Sequence, residues 1–370
     1  MTLRIATFNV ENLFDRPAAM NLEKWEDGQK YINDCATLNL LLNKDTYTAK
    51  DKEDILKGLE EYGLDRVWGK SEFLELKKIR GRLLRYPKNK PAEVVATGRK
   101  DWVGWVELTK KHIDDEAIRN TARVIAEVNP DIIVLVEVEN RPTLIRFHDW
   151  VLKPIMTVMG LEPYPHLMLI DGNDARGIDV CIMSRLPIIR MVSHVDDRTA
   201  AGTPTFSRDC PEYYLDAGNG TVIVILPNHF ASKGSDAKGN RRRVQAAAVK
   251  GIYENLKKSY PYIIIAGDFN DFPAGGSLGA LLDETDLKDA MHLPAYKGEY
   301  RGTYQTATDD NKIDYLLLSP ELQGKVRTVD VNRRGYYAPT KWKSFDNLTS
   351  KTKDRLNASD HHLVWADLEL

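Results

Sequence analysis

The sequence predicts an α/β fold in which sheets pack face to face inside flanking helices. Three observations predict it. Seven short β-type runs are each flanked by polar, hydrogen-bonding or acidic residues. Stretches with helical apolar spacing lie between some of them. The polar clusters sit at the ends of many separate strands, and a layered α/β architecture is what brings such ends together. Composition agrees: among 370 residues, 42% are hydrophobic and 29% charged, the balance of a soluble globular chain. With 52 Lys+Arg against 54 Asp+Glu the net charge is −2. That excludes a bulk polycation while leaving room for local basic patches.

In chain order, the first run spans residues 3–8 and leads to Asn9 and Glu11. Residues 131–136 lead to Glu137, 178–183 form a third run, and 221–226 lead to Asn228 and His229. Residues 262–266 lead to Asp268 and Asn270, 313–318 follow Lys312, and 362–368 follow Asp360 and His361. Ile118, Ala122, Ile125 and Ala126 repeat at helical spacing behind Asp114 and Asp115 as caps, and Asn129-Pro130 supplies the stop. A second helix is expected from Val244, Ala248, Gly251 and Ile252, after a loop over 234–240.

Residues 20–112 break this plan. Ile55, Leu56, Leu59 and Tyr62 form one helical stripe that stops at Gly63, and Leu76, Ile79 and Leu83 form another before Pro87. The expectation is one domain over 1–370 carrying a mostly helical insertion at 20–112. Cys35, Cys181 and Cys210 are an odd count without a C-x-x-C pair, which favours a reducing compartment. No apolar run approaches the roughly 20 residues of a membrane span. The start, Met-Thr-Leu-Arg, enters a strand pattern with no leader-type apolar region, so a cytoplasmic location is expected; a secreted form requires a leader already removed. No protein partner is inferred.

The residues with chemical content are Asn9, Glu11, Glu137, Asp268, Asn270, Asp314 and Asp360. Any one of them alone is ordinarily a turn or cap former. Seven together suit a hard cation such as Mg²⁺ or Mn²⁺, because clustered carboxylates repel one another unless a cation sits among them. In Gly267-Asp268-Phe269-Asn270, alternation puts the two polar tips on one side and Gly267 permits close backbone approach, although an Asx turn explains the same pair. In Ser359-Asp360-His361-His362, an imidazole beside an acid can stabilise a phosphoryl oxygen or move a proton, and Asp314 is a candidate to orient it. His229 offers a second imidazole. Ser232, Lys233 and the run Arg241-Arg242-Arg243 offer phosphate-facing donors, and Arg176 a further cation, against the plainer reading of a solvated basic surface.

These segments, in order Thr7-Phe8-Asn9-Val10-Glu11, Leu135-Val136-Glu137-Val138-Glu139-Asn140, Asn228-His229, Gly267-Asp268-Phe269-Asn270, Ile313-Asp314-Tyr315 and Ser359-Asp360-His361, resemble the endonuclease/exonuclease/phosphatase superfamily, which includes deoxyribonuclease I, apurinic endonucleases, neutral sphingomyelinases and inositol polyphosphate phosphatases. The resemblance implies a four-layered α/β sandwich with a divalent-metal site at the mouth between two sheets. It implies Glu137 as main metal ligand with Asn9, Glu11 and Asp360, and Asp268 as the residue that orients or deprotonates water. Asn270 becomes a phosphate or metal neighbour, His361 paired with Asp314 the phosphate-binding or proton-transfer histidine, and His229 its counterpart in the deoxyribonuclease branch. Val136 departs from the pattern, since many relatives carry Gln there. The implied activity is a metal-dependent phosphodiester hydrolase, most of all a nuclease of bacterial type acting on DNA or RNA, with Arg176, Asn228 and Lys233 toward phosphate.

Rival readings have less behind them. A sphingomyelinase-like lipid enzyme or a phosphatase uses the same scaffold, but the Trp-Cys-Asp-Arg element of the inositol branch is absent. Gly275-Gly276-Ser277-Leu278-Gly279 fits a serine-hydrolase elbow without a strand leading into it. A non-catalytic binding module is opposed by the presence of every acid and histidine required. Zinc lacks a second ligand at helical or hairpin spacing.

Overall fold

A computed structural model describes residues 2–13, 18–21, 25–67, 69, 71–88, 90–109, 115–174 and 177–370. The chain divides into two compact units, one built of residues 1–14 and 113–370, the other of residues 15–112. In the larger unit the described strands are β1 (Thr2–Leu13), β2 (Ile132–Val138), β3 (His166–Leu169), β4 (Asp179–Ser184), β5 (Ile188–Val192), β6 (Glu212–Asp216), β7 (Val222–His229), β8 (Tyr262–Asp268), β9 (Lys288–Asp289), β10 (Asp314–Leu318), β11 (Val326–Asn332) and β12 (Leu363–Glu369). All seven expected runs are strands.

The strands form two six-stranded mixed sheets, ordered β11-β12-β1-β2-β4-β3 and β9-β10-β8-β7-β6-β5. In the first, β1 runs parallel to β2 and antiparallel to β12, with Thr2 opposite Glu369. In the second, β7 and β8 are parallel and β10 is antiparallel to β8, with Asp268 opposite Asp314. Strand alternation sorts the apolar side chains into layers. Ile5, Val134, Val136, Ile223, Ile225, Ile264 and Leu316 face between the sheets in one buried cluster. Ala6, Phe8, Ile133 and Leu135 turn outward to meet Ala122, Ile125 and Ala126 on the helix Asp115–Val128. Val224, Leu226, Ile263 and Ile265 turn outward to Ala246, Val249 and Tyr253 on the helix Asn240–Leu256, which connects β7 to β8. The result is helix, sheet, sheet, helix, the four-layered sandwich. Of the two expected caps, Asp114 lies outside the described residues and Asp115 opens the helix.

The smaller unit has its own core of Leu38, Leu42, Ile55, Leu59, Trp102 and Val106. The first expected stripe is the helix Ala49–Glu61, opened by a reciprocal Thr48–Asp51 capping box. The second stripe is corrected: Leu74–Gly81 is a strand paired antiparallel with Trp102–Leu108, and Ile79 is 67% exposed. Leu76 and Ile79 satisfied a three-residue spacing by coincidence. The partner Trp-Val-Gly-Trp-Val-Glu-Leu carries the period of two that fixes the pair. With a second short ribbon, Leu84–Arg85 with Glu93–Val94, this segment mixes helix and strand. Among the described residues, no helix is long and apolar enough to cross a membrane.

Candidate active site

The ends of β1, β2, β7, β8 and β10 and the segment entering β12 meet at one rim of the two sheets. Two of the acids there sit on irregular backbone. The β1–β2 register shifts between Asn9 and Leu13, and β2–β4 shifts between Val136 and Val138. Glu11 and Glu137 occupy those irregularities with φ of 50° and 67°, and Asn270 has φ 51°. Bulges re-aim side chains at strand ends, and left-handed backbone at non-glycine residues costs on the order of 1–3 kcal/mol each. Gly267, with φ 141°, lies so close to β7 that a Cβ there would stand 1.9 Å from the Asn228 carbonyl oxygen. That is the close approach its neighbours predicted.

Asn9 is the hub. It is 1% exposed, and its Nδ2 lies 3.2 Å from Glu137 Oε1, 3.2 Å from Asp268 Oδ2 and 3.4 Å from His361 Nε2. Its Oδ1 accepts from the Glu11 amide at 3.1 Å. In this orientation the amide ties the carboxylates together and directs its nitrogen, not its oxygen, at them. The Asp360 amide donates to Glu11 Oε2 at 2.9 Å, and Ser359 Oγ donates to the Asn9 carbonyl at 2.7 Å, so the segment entering β12 is stitched to the end of β1.

His361 stands between two acids. Its Nδ1 lies 2.9 and 3.2 Å from the Asp314 carboxylate oxygens, and its Nε2 lies 3.8 Å from Asp268 Oδ2 and 3.8 Å from Asp360 Oδ1. Burial alone pulls an imidazole's pKa down, but Asp314 and Asp268 outweigh it and hold His361 well above its ordinary value. His229 Nε2 is 3.7 Å from Asp268 Oδ2 and 3.8 Å from Glu137 Oε1. Asn270 donates its backbone amide to Asp268 Oδ1 at 2.8 Å and its Nδ2 to the Phe230 carbonyl at 3.1 Å, so the Asx-type turn and the site are one feature. Asp268, Asp314 and His361 each place a donor atom within 4.8 Å of the others. Because Asp314 is engaged by the far ring nitrogen of His361, it reads as that residue's hydrogen-bond partner.

Whether a hard cation suits this place is answered by the acids themselves. Burial and the neighbouring Asp360 push the Glu11 carboxyl up to about 7. Burial, with Asp314 and Glu137 adding to it against His361, pushes Asp268 up to about 7. Burial is the first cause of both shifts and like charge adds to it, so a cation among these acids would relieve them; the carboxylate oxygens of Glu11, Glu137 and Asp360, with His229 and His361 beside them and no cysteine, are donors that Mg²⁺ or Mn²⁺ takes. The residues fit such an ion.

A cavity of about 410 Å³ opens onto the cluster, lined among others by Glu11, Glu137, His229, Asp268, Asn270, Asp360 and His361. Lys233 is on its wall, 3.6 Å from Asp271 Oδ1 and over the Phe272 ring. Two expectations about phosphate contacts need revision. Asn228 does not line the cavity: alternation on β7 sends His229 inward, while Asn228 is 1% exposed and donates to the Leu226 carbonyl. Arg242 is buried and donates to the Ala231 carbonyl at 3.1 Å, leaving Arg241 and Arg243 as the solvent-facing members of that run. Arg176 lies outside the described residues. Ser277, centre of the G-x-S-x-G match, is buried and donates to Asp271; its Oγ is committed to a loop anchor, with Arg242 Nε at 3.3 Å.

Arg208 and Tyr304 are among the lining residues that had escaped the sequence reading. Arg208 is 3% exposed and pairs with Asp174 at 3.0 Å. Tyr304 meets the His361 ring edge-on at 4.9 Å. Neither follows a β-type run in the way the recognised acids do, and only the pairing of distant loops places them here.

A family model described as the Endonuclease/Exonuclease/phosphatase family matches residues 110–361. The chain belongs to that family. Solved structures with a similar chain trace include truncated TDP2 from Caenorhabditis elegans, at 17% identity over 69% of this chain and 90% of that one, with a TM-score of 0.44. The human Nocturnin catalytic domain with bound sulfate is similar at 16% identity over 70% and 88%, TM-score 0.46. A Bacteroides thetaiotaomicron mannosyl-6-phosphatase is similar at 16% identity over 69% and 91%, TM-score 0.44. A comparison with curated protein sequences found no match.

Proposed function

We propose that this protein is a divalent-metal-dependent phosphodiester hydrolase acting on nucleic acid. The observation that carries the reading is the convergence of Glu11, Glu137, Asp268, Asp360, His229 and His361 on one cavity that also has Lys233 and Arg208 in its wall. Glu11, Glu137 and Asp360 would hold the cation, with Asn9 fixing the spacing of the carboxylates. When bound, Mg²⁺ or Mn²⁺ there supplies Lewis-acid neutralisation of a non-bridging phosphoryl oxygen.

The remaining work falls to the chain's own groups. Asp268, buried and high in pKa, orients the attacking water and takes its proton. His361, with Nδ1 engaged by Asp314, presents Nε2 to a phosphoryl oxygen as a charged donor, and His229 presents a second imidazole to the same point. Asn270 holds Asp268 in place through its backbone amide. The preference for a polyanionic strand rests on Lys233, Lys238, Arg241 and Arg243, which are solvent-exposed to differing degrees along the segment that leaves the cavity wall.

The test is a substrate panel: plasmid DNA, RNA, sphingomyelin and p-nitrophenyl phosphate offered side by side, each with Mg²⁺, with Mn²⁺ and with EDTA. Nucleic-acid cleavage that EDTA abolishes and metal restores is the expected outcome. Turnover of the lipid or the monoester alone would replace the nuclease reading, and cleavage that persists in EDTA would reject the metal mechanism.

A further inference from the structure

Lys312 is a buried cation that the chemistry above leaves unused. Its side chain is 2% exposed, its Nζ stands 3.1 Å from Asp289 Oδ2 and 3.5 Å from the centroid of the Tyr315 ring, and it donates to the backbone carbonyl of Asp314. Removing an ammonium from water this completely costs several kcal/mol unless a partner answers it. Asp289 does so: burial would raise its carboxyl, yet Lys312 and His292 hold it below the usual carboxylate range. An apolar side chain would fill the same space without that cost, so the pair asks for an explanation beyond packing.

Location supplies one. Lys312 precedes β10, and Asp314, fully buried, is the first residue of that strand. The amide of Asp314 donates to Thr303 Oγ1 at 3.0 Å, its carbonyl accepts from Lys312, and its carboxylate receives His361 Nδ1. Lys312 and Asp314 are near enough for their charges to act on each other.

We propose that Lys312 is a positioning residue for His361: anchored by Asp289, its ammonium clamps the Asp314 backbone and fixes the carboxylate that holds the imidazole. The kinetic consequence rests on the phosphodiesterase reading; the geometric consequence does not, and the experiment separates them.

Full-length wild type, K312M, K312R and the double variant K312M/D289N would be compared in two measurements. The first is the low-field NMR signal of the His361 Nδ1 proton in chain labelled with ¹⁵N-histidine, assigned by its loss in H361Q. The second is kcat and KM for bis(p-nitrophenyl) phosphate with Mg²⁺. Expected is a wild-type signal that K312R keeps and K312M shifts or broadens, with kcat in K312M down roughly tenfold and KM within about twofold. Should K312M fail to fold, the double variant carries the same comparison, because it leaves no stranded buried carboxylate. A folded K312M with wild-type signal and kcat overturns the proposal. So does a K312R that loses as much as K312M, or a wild-type chain lacking the signal. If wild type hydrolyses no phosphodiester, the functional reading fails and the NMR comparison alone decides the role of Lys312.

Discussion

At Glu137 the side chain and the backbone have opposed needs. The carboxylate is wanted beside Asn9 and near His229, and reaching that point requires a bulge and a φ of 67°. Glu137→Gln keeps the shape and removes the charge, so it separates chemistry from folding. Turnover should fall about 10²- to 10³-fold with an unchanged far-ultraviolet circular dichroism spectrum, and His361→Gln should do the same. Rates within a few-fold of wild type on the substrate panel would reject either role. Individual site residues were legible in the sequence where they followed a β-type run, as Asp268 follows Ile263-Ile264-Ile265. Asn228 and Arg242 misled because the chain around them is rich in polar groups and only strand and helix facing decides which ones reach the cavity. Arg208 and Tyr304 gave no local signal.

Between elements, the loop after β5 is held by His194, whose Nδ1 lies 2.8 Å from Asp197 and Nε2 3.1 Å from Glu212 at the start of β6. Burial lowers this imidazole's pKa, but Glu212 and Asp197 outweigh burial and raise it above the ordinary value. A raised folded-state pKa means the contribution to stability is complete below the unfolded value of about 6.5 and vanishes as pH rises through the folded one. Thermal unfolding of His194→Gln should therefore lie furthest below wild type near pH 5.5 and converge with it in alkaline buffer. A gap independent of pH would show that the imidazole acts by shape alone. Element prediction was otherwise most secure for central strands, whose two faces are both covered and whose apolar runs are continuous. Edge strands such as β5 and β11, and the ribbon Leu74–Gly81, are half exposed, so their pattern is diluted by polar residues and one of them passed for a helix.

On the scale of the molecule, the apolar clusters respect the division into two units. Among the described residues, the three clusters of the sandwich draw only on residues 1–14 and 113–370, and the fourth only on 15–112. Replacing 15–112 with a flexible glycine-serine linker should leave a chain that unfolds cooperatively in urea with native-like circular dichroism, since none of the described sandwich core residues is removed. A molten, dye-binding product would instead show that the smaller unit is required for the larger one to fold.

The order of strands in the first sheet sets a rule of timing. β12 is seated between β11 and β1, and it brings Asp360 and His361 to a cluster whose first member is Asn9, some 350 positions earlier. During synthesis β1 must wait beside β2 with one flank vacant, and the cluster lacks the second of its two imidazoles until the segment around His361 leaves the ribosome. A chain interrupted before Asp360 would thus lack both a carboxylate proposed to hold the cation and the imidazole proposed to meet the phosphoryl oxygen, so the proposed activity would arise only once this segment has been made.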